Sequence, residues 1–251
     1  MKPLTTHGPL ALVLGIALLG TAQADENHAV HQSDAVTSGV SETASAAMDI
    51  IAAHVHRDGA LVTFHMTTNG TAGTDRPDAV GALAGAAAWT YVWPTTLDPS
   101  VVGFEPGAGI LAMAAAIHPD FDDTPLFDEN GNGSLTDDGA EWHSHWVVLA
   151  PDDHCGPGAL GVKDIPEGTT PPLPATWPGL PILIDSPGFS PVFDGPEVSI
   201  TAPITTDAAG AGYDGVTAAL RVNANIHAPL LCVTDVFDIA SGDLSLPGVI
   251  N

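Results

Sequence analysis

The sequence predicts an all-β fold, a single-domain β-sandwich with long Pro/Gly-rich loops, and three observations support this class. Apolar and polar residues alternate in short runs, which is typical of strands that bury one face. The 251 residues include 27 glycines and 22 prolines, a content that disfavours a helical bundle and favours many turns. A hydrophobic content of 45% is enough for a packed core.

The first 24 residues have the pattern of a secretory signal peptide. Lys2 gives a short basic region, Pro9–Gly20 is an apolar run too short to span a bilayer, and Ala22-Gln23-Ala24 is a small-x-small cleavage site. We therefore expect cleavage after Ala24 and a mature protein in the periplasm or secreted. No later stretch is long and apolar enough to predict a membrane span.

The mature chain divides by composition into two parts. Residues 25–45 are polar and weakly patterned, which predicts a flexible N-terminal arm. Residues 46–251 are expected to form the β-sandwich domain, with an acidic loop over residues 118–141. Five basic against 30 acidic residues give a formal net charge of −25, which excludes nucleic acid as a partner, because binding to phosphates needs clustered Lys and Arg. The composition leaves the oligomeric state open.

The first hairpin places several histidines on one face. Asp58-Gly59 is the preferred dipeptide of a two-residue type I′ turn, and it sets His54 opposite Thr63. In this register His54, His56 and His65 share the face opposite the apolar one, with His65 diagonal to His54. The hairpin therefore offers three imidazoles as candidate metal ligands.

A second pair of alternate histidines lies on the strand predicted over residues 142–150. His143 and His145 point to one face of that strand, and two imidazoles at this spacing suit one zinc or copper ion. Two independent His-x-His pairs are unusual in so short a chain. We therefore predict a copper or zinc site, for which His143 and His145 are the first candidate ligands. His118, His154 and His227 are candidates to complete it.

These histidine strings resemble short stretches of known metalloprotein families. Trp142-x-His-Ser-His145 resembles a copper-binding stretch of the multicopper oxidases and the strand His-x-His of the α-carbonic anhydrases, and His54-Val55-His56 resembles the copper strand of Cu/Zn superoxide dismutase. Each resemblance implies copper or zinc ligation. The other ligand motifs of these families are absent from the sequence, so it assigns the chain to none of them.

The acidic loop contains a candidate calcium motif. Asp128, Asn130 and Asn132 alternate ahead of Gly133, and this string resembles the opening of an EF-hand or dockerin calcium loop. The twelfth position is Gly139 rather than Glu, so Asp138 or a neighbouring carboxylate would have to be the last ligand. We expect a calcium ion here, bracing the loop that leads into the His143 strand.

The two cysteines allow two interpretations. In an oxidising compartment Cys155 and Cys232 most simply form one disulfide. The alternative is that Cys155, next to His154, is a thiolate metal ligand. Spacing along the chain does not decide between them.

The function predicted from the sequence is metal binding in the periplasm, with a role in metal handling or resistance. The first alternative is a metalloenzyme that uses the same histidines around an open metal position, with Glu141 or Asp153 in proton transfer. The second is a structural or surface protein stabilised by calcium. The sequence contains no Gly-x-Ser-x-Gly, phosphate-loop or dinucleotide motif, and it does not decide between a carrier and an enzyme.

Overall fold

The computed structural model describes Met1, residues 35–120 and residues 127–251. All the described residues except Met1 belong to one unit, Gln32–Asn251. The predicted signal peptide, apart from Met1, and the first part of the predicted arm lie outside the described residues.

The described residues form strands joined by turns and short 3-10 segments. No helix in this part of the chain is long and apolar enough to cross a membrane. The strands are β1 Val36–Thr37, β2 Ile50–Asp58, β3 Leu61–Thr68, β4 Ala87–Pro94, β5 Ile110–Ile117, β6 His143–Pro151, β7 Leu160–Val162, β8 Ile184–Asp185, β9 Val192–Asp194, β10 Glu197–Pro203, β11 Gly212–Tyr213, β12 Val216–Val222, β13 Leu231–Ile239 and β14 Gly248–Val249.

The larger sheet closes on itself. Its strand order is β5-β4-β12-β13-β7-β6-β8, and an additional antiparallel pairing joins β5 to β6. Six of these strands, β5, β4, β12, β13, β7 and β6, thus surround a barrel interior. The all-β class is confirmed, but the predicted β-sandwich is not, because alternation marks the faces of each strand and contains no signal for closure.

The smaller of the two main sheets packs against the outside of this barrel, and β11 and β14 pair as a separate two-stranded sheet. The smaller main sheet has the order β1-β2-β3-β10-β9, and its core face presents Phe64 to two tryptophans of the barrel wall. The ring centroid of Phe64 lies 6.1 Å from that of Trp93 and 5.6 Å from that of Trp146. Since side chains alternate along β6, Trp146 faces this outer core while His145 and Val147 face the barrel interior.

The β2–β3 hairpin keeps its predicted faces with a different turn. Asp58 pairs with Leu61, so the two loop residues are Gly59 and Ala60. Gly59 has φ 62° while Ala60 is not among the positive-φ residues, which is the pattern of a type II′ turn rather than the expected I′. The pairing is shifted by two residues, an even number, and therefore no side chain changes face. As a result His54 lies directly opposite His65.

Strand pairing begins within the predicted arm. Val36 and Thr37 pair with β2, ahead of residue 46, where the sequence placed the start of the domain. The hydrogen bond from the Ser41 amide to Asp49 Oδ1 (2.9 Å) also fixes this segment to the sheet.

The barrel has a narrow seam between β13 and β7. One residue pair, Cys232 with Gly161, joins the two strands. A Cβ at position 161 would lie 2.7 Å from Pro229 Cγ and 3.0 Å from Cys155 Sγ, so only glycine permits this approach. A disulfide between Cys155 and Cys232 crosses the seam, which confirms the disulfide interpretation and leaves no thiol at Cys155 for a metal.

Candidate metal centre

Four buried side chains converge at one point of the barrel: His118, Glu129, His143 and His145. Their donor atoms all lie within 4.8 Å of one another, and no other group of His, Cys, Asp and Glu in residues 35–120 and 127–251 meets this condition with three or more members. The relative exposures of the four residues lie between 0% and 4%. The sequence pattern identified His143 and His145, named His118 as a completing candidate and missed Glu129.

The pairing of β5 with β6 brings three of these residues together. His143 pairs with Ala116, and His118 lies two residues after Ala116, directly past the end of β5, with its amide donating to Gly139 O (3.0 Å). His145 pairs with Ala114 one position further along the same face of β6. The three imidazoles therefore come from adjacent strands of one rigid wall.

The acidic loop brings Glu129 into the cluster. Asp138 is fully buried, and its carboxylate accepts the amides of Glu129 and Asn130 (3.2 Å each). Asp128 accepts the amides of Asn132 and Gly133 at 3.0 and 2.8 Å. These bonds fold the loop on itself and turn the Glu129 side chain inward.

The side-chain oxygens of the candidate calcium ligands accept hydrogen bonds from amides of the same loop. Asn130 Oδ1 accepts the Asn132 amide (2.9 Å), and Asn132 Oδ1 accepts the Ser134 amide (2.7 Å). A calcium ion bound by Asp128, Asn130, Asn132 and Asp138 stays a prediction. What the structure shows is that this loop positions Glu129.

Three of the distances between donor atoms lie in the range expected around one ion. Ligands at about 2.0–2.2 Å from a tetrahedral ion lie roughly 3.3–3.6 Å apart. His118 Nε2 and His143 Nε2 lie 3.4 and 3.3 Å from Glu129 Oε2, and His145 Nε2 lies 3.5 Å from Glu129 Oε1. The two Nε2 atoms of His118 and His143 are 3.0 Å apart. The four side chains could thus hold a metal ion without large movement.

Hydrogen bonds outside the cluster direct the lone pairs of two imidazoles inward. His143 Nδ1 lies 2.9 Å from Glu141 O, and His145 Nδ1 lies 3.3 Å from Asp185 O. A carbonyl oxygen only accepts, so each Nδ1 carries the proton and each neutral ring leaves Nε2 as a lone-pair donor. Backbone acceptors on the distal nitrogen are typical of metal-binding histidines.

The carboxylate of Glu129 is held in a similar way. Ser186 Oγ donates to Glu129 Oε1 (2.9 Å), and Glu129 Oε2 is a buried atom that accepts no hydrogen bond from the described residues. A buried carboxylate oxygen without such a bond is costly unless a cation is nearby. A metal ion between the four donors would satisfy it.

The cluster favours deprotonated ligands. Burial lowers the pKa of His143 to about 3, and charge repulsion from His145 and His118 contributes in the same direction. Burial also lowers the pKa of His145. For Glu129 burial acts to raise the pKa, whereas the adjacent imidazoles of His145, His118 and His143 act to lower it, so the pKa lies below its ordinary value while these rings carry protons. Neutral imidazoles and an ionised carboxylate are the forms that bind metal.

The other histidines named by the sequence lie elsewhere. His54 and His56 stack with ring centroids 5.3 Å apart on the outer face of the smaller sheet, so the two His-x-His pairs do not share a site. His65 pairs with Glu197 (2.8 Å), and the exposed His154 pairs with Asp152 (2.8 Å). His227 pairs with Asp164 (3.0 Å).

Glu129 carries no periodic signal that would have revealed it. It lies between Asp128 and Asn130 in a non-repetitive loop, where side-chain direction does not follow from spacing. One clue was available in the sequence: Glu129 lies between Asp128 and Asn130, whose side chains accept backbone amides of the same loop. Glu129 is then the residue between them whose side chain can point inward.

Comparison with known proteins adds no relative. No family model matches the chain, and neither the curated proteins nor the solved structures contain a significant match. The argument for function therefore depends on the site itself.

Proposed function

We propose that this is an exported metal-binding protein that holds one transition-metal ion, zinc or copper, in the centre formed by His118, Glu129, His143 and His145. The observation that carries the proposal is the convergence of three imidazoles and one carboxylate, all buried, with donor atoms within 4.8 Å of one another. Imidazole suits zinc and copper, and both cysteines are in the disulfide, so no thiolate ligand is available for copper(I).

The burial of the ligands favours a retained ion. A protein that delivers its metal must expose the ion to a partner, whereas these four residues are at most 4% exposed. Within metal handling, the role predicted from the sequence, we therefore place retention of the ion ahead of its delivery to a partner. Export to the periplasm is supported by the N-terminal pattern and by the disulfide, which is typical of an oxidising compartment.

A second candidate function is a metalloenzyme built on the same ion. One observation favours it: His118, Glu129 and His145 also line a cavity of about 120 Å³. An ion held by the four protein ligands and in contact with such a space could take a substrate or a water molecule as a fifth ligand.

The test is elemental analysis of untagged protein, with the second His-x-His pair as the matched control. The His143→Ala, His145→Ala double variant is compared with wild type and with His54→Ala, His56→Ala. We expect about one zinc or copper per chain in wild type and in the control, and a loss of that metal in the first variant. Wild type that takes up neither metal after loading would overturn the proposal, as would loss of metal in the control alone.

The same preparations check export and calcium. Protein expressed with residues 1–24 and recovered from the periplasm should have the mass of a chain that begins at Asp25. Calcium should raise the melting temperature of wild type, and an Asp128→Asn, Asp138→Asn variant should lose that response if the loop binds calcium. An unshifted wild type would refute the calcium prediction and leave the His/Glu centre untouched.

A further inference from the structure

The barrel interior contains a cavity whose wall is apolar almost throughout. Its inward positions on β4, β5 and β12 carry small side chains, among them Ala88, Ala114, Ala116 and Ala218. A closed barrel of few strands is normally filled by its own side chains. The alanines at these positions leave about 120 Å³ unfilled, close to the size of an engineered cavity that binds benzene.

The polar groups of the wall are concentrated at the metal centre. The polar residues that line the cavity are Thr90 and the three cluster members His118, Glu129 and His145. Thr90 Oγ1 donates to Ala218 O (3.0 Å), so it turns its hydroxyl to the backbone and offers its methyl group to the interior. A molecule in the cavity would find polar partners only at the metal centre.

We propose that this cavity binds a small, mostly apolar molecule with a single nitrogen or oxygen donor, and that the barrel directs that donor at the metal ion. This inference rests on the proposed function. A second polar group on the molecule would lie unpaired against apolar side chains, and such burial is unfavourable. The occupant is therefore of the size of a six-membered ring, with its donor at one end.

Part of the cavity wall is exposed at the protein surface, and we place the entry route for such a molecule there. Val236 lines the cavity and is 52% exposed. It pairs with Ala218 between two register irregularities of the β12–β13 pairing, one on each side. Bulges loosen a ladder and redirect side chains, and they are frequent beside binding sites.

The probes are benzene and pyridine, which have the same size and differ in one donor atom. Calorimetric titration of the metal-free protein should show binding of benzene, and zinc loading should leave its affinity within about threefold. Pyridine should bind at least tenfold more tightly to the zinc-loaded than to the metal-free protein. With cobalt(II) in place of zinc, pyridine but not benzene should shift the visible spectrum.

The Ala218→Leu variant fills the cavity from the wall opposite β6 and replaces none of the four ligands. It should lose benzene binding while it retains metal. A wild-type protein that binds zinc but neither probe refutes the cavity inference and leaves the proposed function standing. Benzene binding to a protein that takes up no metal refutes both the proposed function and the role of the ion in directing the molecule. Equal pyridine affinity with and without zinc also refutes that role.

Discussion

Replacing Glu129 by glutamine distinguishes a metal ligand from a structural ion pair. The variant keeps the shape and the bond from Ser186 but removes the negative charge that the centre offers to a cation. An apparent zinc affinity of about 10–16 kcal/mol in four-ligand sites corresponds to roughly 2.5–4 kcal/mol per ligand. Because the amide oxygen remains a weak ligand, we expect part of this loss, about 100-fold in affinity.

The predicted loss can be measured as thermal stability. A 100-fold weaker affinity at fixed excess zinc lowers the stabilisation by the metal by about 2.7 kcal/mol. For a chain of this size 1 kcal/mol moves the melting temperature by about 2–4 °C. Zinc should therefore raise the melting temperature of Glu129→Gln by about 5–10 °C less than that of wild type. Glu197→Gln, which changes the half-exposed partner of His65, should respond to zinc as wild type does.

The metal-free proteins provide the refuting result. At pH 8 the imidazoles of His143 and His145 are neutral, because burial lowers the pKa of both, so neither supplies a positive charge for the carboxylate to lose. Glu129→Gln should then be as stable as metal-free wild type or more stable. If the cluster were a structural ion pair, removal of one partner would cost about 3–5 kcal/mol. A metal-free variant that melts more than about 10 °C below wild type, with an unchanged zinc response, would refute the reasoning.

Three further predictions follow from the burial and bonding of other groups. Metal-free protein should lose stability as pH falls below about 6.5, because the unfolded chain takes up a proton that folded His143 accepts only near pH 3. This histidine should lower the free energy of unfolding by about 3 kcal/mol at pH 4. In urea unfolding, the stability of His143→Ala should therefore depend less on pH than that of wild type. Cys155→Ser with Cys232→Ser should lower the unfolding free energy by about 4 kcal/mol, given a separation of 77 residues, and an unchanged urea midpoint would contradict this. Tyr91→Phe should cost about 1–3 kcal/mol in the same assay, because the Gly73 amide and Ala47 O lose their buried partner; a cost below about 0.5 kcal/mol would show that water replaces it.

The sequence predicted those parts of the site that depend on strand alternation. His143 and His145 share a face because a strand repeats every two residues, and this held without knowledge of the fold. The same rule kept His54, His56 and His65 on one face although the turn moved. Alternation does not tell which sheet a strand belongs to, so it gave no reason to separate the two His-x-His pairs. In the structure one pair faces the barrel interior and the other lies on the outer face of a different sheet.

The remaining parts depend on contacts distant along the chain. Closure of the barrel needs β5 to pair with β6 while β7 pairs with β13, and neither pairing leaves a mark in local composition. Glu129 reaches the centre because a buried carboxylate, Asp138, folds its loop. Asp and Asn at alternate positions suit a calcium ion, and they equally suit hydrogen bonds that fold a loop on itself. The spacing alone therefore predicted a calcium ion within the loop, and it did not predict that the loop supplies Glu129 to the cluster.

The seam between β13 and β7 would make metal uptake depend on when the disulfide forms. While the two cysteines are reduced, one residue pair joins these strands, and β6, which carries two of the four cluster residues, lies next to β7. The Cys155–Cys232 bond adds a covalent link across the seam. An ion held by the cluster would then be drawn from the metals present where oxidation takes place. Selectivity among divalent ions that bind in a fixed affinity series would thus be set by place and timing as well as by the ligands.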